Sequence, residues 1–347
     1  MTTATHRSEQ GAAERRHPAR VRTTWLVVLL GVLAATALAS VVLGARDIGF
    51  DDVVAGLGGS QDTLAQAAVA KRVPRTLLAI VVGAALGISG AVMQGVTRNP
   101  LADPGILGIN AGASLAIAVG MTSFGLVKAS AHIWVAIFGA AVTAVLVYTI
   151  GSLGRGGPTP LKLALAGAVS SAALTSLISA VVLSRNDISG TFRSWQIGGV
   201  GGGSYEGIAQ VLPFLAVGLL LCLATARGLN SLALGDDVAA GLGERVLLTR
   251  TLASVGAVVL CGAATAAAGP IGFVGLVLPH LCRLLVGPDH RWLLPFSAIG
   301  GAALLTASDV FGRVVTRPEE IDVGIITALI GAPFFIWIVR RQKVRSL

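Results

Sequence analysis

The chain has 347 residues, of which 54% are hydrophobic and 12% charged, with 45 glycines and a formal net charge of +9. A mean hydropathy of +0.80 excludes a soluble globular domain and places the chain in a bilayer. The basic residues flank apolar runs instead of forming a stripe interleaved with aromatics, which argues against a nucleic-acid surface, and Cys222, Cys261 and Cys282 stand apart in apolar stretches without disulfide or metal-ligand spacing.

A membrane-spanning helix needs about 17 to 25 mostly apolar residues, and hydropathy predicts ten such spans in an all-α, polytopic chain. Residues 1–24 are polar and Arg-rich and read as a disordered cytoplasmic extension. The apolar run from Trp25 to Leu43 lacks a small-residue cleavage site and is followed by further spans, so it reads as a retained first helix and not a removed signal. Next come Arg72 and Arg75 around Pro74, at the mouth of a second span from Thr76 to Val96. Guanidinium groups there either snorkel to the interface or await a carboxylate, which their planar fork pairs bidentately. Gly83 to Ala91 inside this span is a small-residue array that lets helix backbones approach closely.

Arg98 to Gly105 then interrupts the apolar pattern. Pro100 and Pro104 forbid a continuous helix, while Asn99 and Asp103 are suited to cap the freed backbone groups, which predicts a tight turn. A third span covers Ile106 to Met121 and a fourth Ile133 to Leu153. Pro158-Thr159-Pro160 precedes the fifth, Leu161 to Leu183. Gly198 to Gly203 has no flanking strand and reads as a mobile external loop, not a phosphate cradle. The sixth span, Gly207 to Ala226, leads to a connection containing Leu232, Leu234, Gly235, Asp236, Asp237, Ala239, Gly241, Leu242 and Gly243. Its glycines predict short helical turns broken at Gly235 and Gly241, with both acids at a helix start where the dipole favours them. Such a segment is either an amphipathic knob or an ordinary surface loop.

The seventh span, Thr249 to Ala268, carries a second small-residue array from Gly256 to Gly262. Gly269-Pro270 separates it from the eighth, Ile271 to Val286, where His280 is expected to rest on a helix-end carbonyl. The ninth, Leu293 to Phe311, ends with Asp309 and Arg313 four residues apart, a spacing at which they neutralise each other. Glu319 to Gly324 opens the tenth, Ile321 to Val339, and residues 341–347 form a tail. Residues 25–340 thus read as one membrane domain. With the N-terminus inside, 17 of the 26 Lys and Arg residues fall on the cytoplasmic side, so the positive-inside rule puts both termini in the cytoplasm of a plasma-membrane protein.

The blocks Lys71 to Arg75, Gly83 to Ala113, Leu232 to Gly243, Gly269 to His280, Gly287 to Arg291 and Glu319 to Pro333 together resemble, in order, the FecCD-type permeases of type II ABC importers, which take up ferric siderophores, haem and cobalamin. The resemblance covers roughly residues 45–340. It implies that Arg72, Arg75 and Arg313 receive acidic residues of an extracytoplasmic substrate-binding protein. It implies that Leu232 to Gly243 is the coupling segment seated in a groove of the ATPase. It also implies a dimer of permeases, homomeric or heteromeric, with two ATP-binding subunits. A cavity on the dimer axis would be walled by the second, fifth, eighth and tenth helices and by a short helix near Phe192 to Ile197. Thr159 is a candidate inner gate, one residue out of register with relatives. The block Thr97 to Ala113 is most similar to siderophore permeases, with cobalamin and haem behind.

No G-x-x-x-x-G-K-[ST] occurs, so ATP and Mg belong to a partner chain and this chain is expected to bind no cofactor and no metal itself. A secondary transporter would need a coupling-ion site near the midplane, and Asp309 alone among the carboxylates falls clearly within a predicted span. An intramembrane enzyme would need a nucleophile and base or a metal set, and neither is present in the sequence.

Overall fold

The computed structural model describes residues 19–44, 49–60, 62–126, 129–153, 159–183 and 185–345, and all regular structure among them is helical. In chain order the helices are α1 (Ala19–Val42), α2 (Phe50–Leu57), α3 (Leu64–Thr97), α4 (Ile109–Phe124), α5 (Ala129–Ser152), α6 (Pro160–Leu183) and α7 (Asn186–Ile197). They continue as α8 (Tyr205–Leu232), α9 (Asp236–Gly241), α10 (Val246–Ala268), α11 (Val274–Val286), α12 (His290–Val315) and α13 (Val323–Arg345). A helix lies at each of the ten expected spans. Seven are long and apolar enough to cross a membrane, while Ile109–Phe124, Val274–Val286 and Val323–Ile338 are shorter.

Among the boundaries that differ from the sequence expectation are the starts of α1 and α3. Helix α1 begins at Ala19, inside the segment read as a polar extension; Arg22 finds a partner there, its guanidinium 5.6 Å from the centre of the Trp292 ring. Residues 1–18 lie outside the described residues. Helix α3 starts at Leu64, well before Thr76, because the Thr63 hydroxyl accepts a hydrogen bond from the Gln66 amide and caps it. Pro74 therefore sits inside a helix and not at its mouth.

Helix α3 is the axis of the fold. In its most apolar stretch 78% of residues are buried, against 6% in α1, and α12, α10 and α11 pack around it. Glycine permits this. A Cβ on Gly87 would stand 2.0 Å from the Ser297 carbonyl oxygen, and one on Gly83 would stand 2.3 Å from that of Gly301. The array read in the sequence thus forms a backbone-to-backbone seam with α12. The second array serves similarly, with Gly256 against the Gly218 carbonyl of α8.

Helix α11 is a half-span. Its 13 residues cover about 20 Å, less than the hydrocarbon thickness of about 30 Å. Its first turn meets the C-terminal third of α3, where a Cβ on Gly90 would lie 1.9 Å from the Gly275 carbonyl oxygen and the Gln94 side-chain amide donates to that oxygen at 3.2 Å. The eighth span therefore begins at Val274 and not at Ile271. Apolar residues at 271–273 satisfy hydropathy, but the backbone there is non-helical, as is tolerated only where protein buries it. His280 packs edge-on against Phe334, ring centres 5.9 Å apart, and not on a helix-end carbonyl as expected. Cys222, Cys261 and Cys282 are buried and unpaired.

The helix directions follow from the contacts. The side-chain amide of Asn230, at the end of α8, donates to Asp289 at 2.7 Å just before α12. The ends of α3, α8 and α11 and the starts of α1, α10 and α12 therefore share one face of the bundle, and Arg75, Asp309 and Glu320 lie at the opposite one.

Candidate functional site

At the Arg75 face the chain builds an ion cluster from residues far apart in sequence. Arg75 grips Asp309 with Nε at 3.0 Å and Nη2 at 2.7 Å, and its Nη1 donates to Glu320 at 2.6 Å. The other oxygen of Asp309 pairs with Arg313 at 3.0 Å, the neutralisation its spacing suggested. Arg313 also donates to the carbonyls of Ser40 and Leu43 and to the Ser40 hydroxyl, at 3.0, 3.2 and 2.7 Å. Arg72 donates to the carbonyls of Val41 and Val42 at 3.1 and 2.8 Å. The C-terminal carbonyls of α1, which no further helical turn satisfies, are thus capped by two guanidinium groups.

The three arginines expected to receive a partner's carboxylates are thus placed differently from one another. Arg313 and Arg72 are 1% and 7% exposed and are occupied by helix-end carbonyls, a use of charge that sequence spacing does not reveal. Arg75 retains 14% side-chain exposure, and Glu320, at 40%, covers its outward edge. The segment Gly198 to Gly203 folds over Arg75: a Cβ on Gly203 would lie 2.8 Å from the Arg75 Cα. It is tied down by Gly199 N donating to the Ala268 carbonyl at 2.8 Å, in place of the free loop read from the sequence.

Beside the cluster a cavity of about 970 Å³ is lined by Thr191, Ser194 and Trp195 of α7, by Ser204 and Glu206 at the start of α8, and by Asp322. Burial pushes the Asp322 carboxyl above its usual range, opposed by Arg75. Within the expected wall Phe192 to Ile197, Phe192 turns into the core at 1% exposure.

The opposite face carries the turn and the 232–243 segment. The Asn99 side chain accepts from the Leu101 amide at 2.9 Å and Asp103 from the Gly105 amide at 2.8 Å, and Pro104 opens a 3₁₀ turn, Pro104–Leu107. The caps read in the sequence are made. Gly235, at φ 111°, starts α9, and Gly243, at φ 84°, ends the segment. Gly241 is the last residue of α9, where the second break was expected, and the left-handed backbone that completes the turn falls at Gly243. Leu234, Val238 and Leu242 are 61%, 51% and 66% exposed and recur every fourth residue, forming an apolar ridge. Leu232 and Ala239 are fully buried and anchor the segment to the bundle. Asp237 is exposed.

Asp236 joins the two features. Arg98, at the end of α3, donates to its carboxylate, and Arg250 of α10 reaches both of its oxygens at 3.0 and 3.2 Å. Burial pushes this carboxyl upward, but the pull of Arg250 and Arg98 outweighs it and holds the pKa below the usual range. Sequence reading missed Arg98, Arg250 and the Asn230 to Asp289 bond. Thr159, the candidate gate, is exposed at the start of α6, where its hydroxyl accepts from the Lys162 amide at 3.4 Å and its carbonyl from Leu163 at 3.0 Å. Pro158 lies outside the described residues.

A family model described as the FecCD transport family matches residues 32–341. The ferric enterobactin transport system permease protein FepD of Escherichia coli (strain K12) is 42% identical over 91% of this chain and 94% of its own length. The iron(3+)-hydroxamate import system permease protein FhuB of Bacillus subtilis (strain 168) is 40% identical over 92% and 83%. A solved structure described as an inward-facing conformation of a metal-chelate type ABC transporter superposes with a TM-score of 0.79 at 30% identity, covering 92% of this chain and 99% of that one.

Proposed function

The chain belongs to the FecCD transport family, and we propose that it is the membrane-spanning permease of an ABC importer that carries a ferric siderophore into the cytoplasm. The observation that carries this reading is the family match across residues 32–341, from within α1 to α13. The chain has no nucleotide-binding loop, so two partner ATPase subunits supply the energy and bind ATP and Mg. An extracytoplasmic binding protein selects and delivers the chelate. The pathway lies between two permeases, homomeric or heteromeric. Exposed apolar side chains along α6 and α13, among them Leu165, Val169 and Leu329, support a pairing surface there.

The Arg75 face is the external one in this reading. Arg75, in company with Glu320, meets an acidic residue of the binding protein, while Arg72 and Arg313 hold the cluster together from beneath. The opposite face is cytoplasmic, with both termini, and the ridge of Leu234, Val238 and Leu242 seats in a groove of the ATPase. ATP-driven closure of the two ATPases then switches the permeases between outward and inward access. Relatives named for enterobactin and for hydroxamates support an iron chelate as cargo.

The test is uptake in a strain lacking its siderophore permeases, with and without this chain and its partner subunits. The probes are ⁵⁵Fe-enterobactin, a ⁵⁵Fe-hydroxamate, labelled cobalamin and haem. Restored, ATP-dependent iron uptake is the expected result. Restored cobalamin or haem uptake alone would keep the mechanism and change the cargo, and uptake that persisted without the ATPase would overturn the reading.

A further inference from the structure

We propose that Arg98 is a positioning residue for transport, the joint by which movement of the 232–243 segment reaches the central helix α3. The proposal rests on the coupling role given above to that segment. Backbone packing joins α9 to α8 and α10. Its bond to α3 runs through a side chain: Arg98 holds the Asp236 carboxylate together with Arg250.

The backbone at Arg98 is as informative as its guanidinium. Arg98 is the C-cap of α3 in the left-handed region, φ 51° and ψ 31°, with its amide donating to the Gly95 carbonyl. Glycine is the residue that adopts this conformation without strain. An arginine is strained at such a position, and the grip on Asp236 offsets the strain. Because the cap is hydrogen-bonded to the last turn, a force on the guanidinium loads the end of α3.

The parts on either side suit that transfer. Gly235 and Gly243 have open space around them and backbone angles that other residues rarely take, and they set the direction of the segment between them, which the buried Ala239 anchors to the bundle. On the far side, α3 is one rod of 34 residues, about 50 Å long. It is sealed to α12 by glycine and backbone at Gly83 and Gly87 and tied to it by the Arg75 to Asp309 bond, so the two helices move together. Arg72 and Arg75 lie in the first half of α3, about 35 Å or more along the helix from Arg98. One helix thus connects the ion cluster of one face with the ridge of the other. An exposed ion pair contributes little in water, but a partner subunit seated on the ridge would cover Asp236 and strengthen the grip as water is excluded.

The complete transporter, with its ATPase subunits and binding protein, is reconstituted in liposomes, and ⁵⁵Fe-enterobactin or ⁵⁵Fe-hydroxamate uptake is measured per ATP hydrolysed. Arg98→Gly relaxes the left-handed backbone while removing the guanidinium, so a merely structural role predicts an assembled and normally coupled transporter. The proposal predicts assembly, retained basal ATPase, and uptake per ATP reduced about tenfold or more. Arg98→Lys should recover part of the loss through its ammonium. Normal coupling in Arg98→Gly overturns the proposal. Leu234→Asp separates it from the reading beneath it: this variant should fail to hold the ATPase. If Leu234→Asp assembles normally, the coupling role of the segment fails and the proposal with it; if it blocks assembly while Arg98→Gly couples normally, the proposal alone fails.

Discussion

Asp309 faces two guanidinium groups at once, and its value to the fold differs from that of Glu320, which pairs with Arg75 at a more exposed position. Both it and Arg313 are 1% exposed. Replacing Asp309 by Asn leaves a buried arginine without its counter-charge, which costs about 3–5 kcal/mol, whereas Glu320→Gln removes a partner that is 40% exposed and should cost no more than about 1 kcal/mol. Thermal unfolding of the two variants in the same detergent should separate them clearly, and equal shifts would contradict the burial argument. At the other face, Asp236 has a pKa below the usual carboxylate range, drawn there by Arg250 and Arg98 against the effect of burial. A carboxylate depressed on folding contributes stability that is complete above the unfolded value, about pH 4, and is lost only as pH falls through the depressed value. Coupled uptake measured from pH 8 to pH 5 should therefore show no step from this ion pair; a loss centred near pH 6 would mean that another group controls it.

Glycines that look alike in the sequence divide sharply once the helices are packed. At Gly87 an added methyl meets the Ser297 carbonyl, a backbone atom that cannot rotate aside, so Gly87→Ala must part α3 from α12, at a cost typical of overpacking, about 1–3 kcal/mol. Gly31 on α1 has nothing near it, and Gly31→Ala should be neutral or slightly stabilising by helix propensity; unfolding temperatures of the pair test this. In the 232–243 segment, Gly235 combines open space with φ 111°, while Gly241 has open space and ordinary helical backbone. Gly235→Ala should therefore impair stimulation of the ATPase and Gly241→Ala should leave it intact. The helices themselves and the Asn99 to Pro104 turn were legible, because apolar length and capping residues are local properties. The half-span α11 and the continuation of α3 through Pro74 were not, since hydropathy records how apolar a stretch is and not where its backbone is helical.

At the scale of the molecule, what the sequence concealed was long-range pairing. Arg75 and Glu320 lie 245 residues apart and Arg98 and Asp236 lie 138 apart; nothing local announces either pair, because packing of intervening helices brings them together. The even number of spans and the bias of Lys and Arg read in the sequence make a prediction about topology that a test of the whole arrangement can decide. The three native cysteines are each no more than 2% exposed, so the unmodified chain should react little with a membrane-impermeant maleimide. Single replacements at Glu320 and Leu234 place a thiol at the two exposed ends of the bundle, 40% and 61% exposed in the native residues. If the Arg75 face is external, Glu320→Cys labels in intact cells and Leu234→Cys labels only after permeabilisation. The reverse pattern would invert the bundle and place the ridge where no ATPase could reach it. Labelling of both from outside would put the two ends on one side, which α3 as a single continuous helix forbids, since Arg75 and Arg98 are separated along it by about 35 Å.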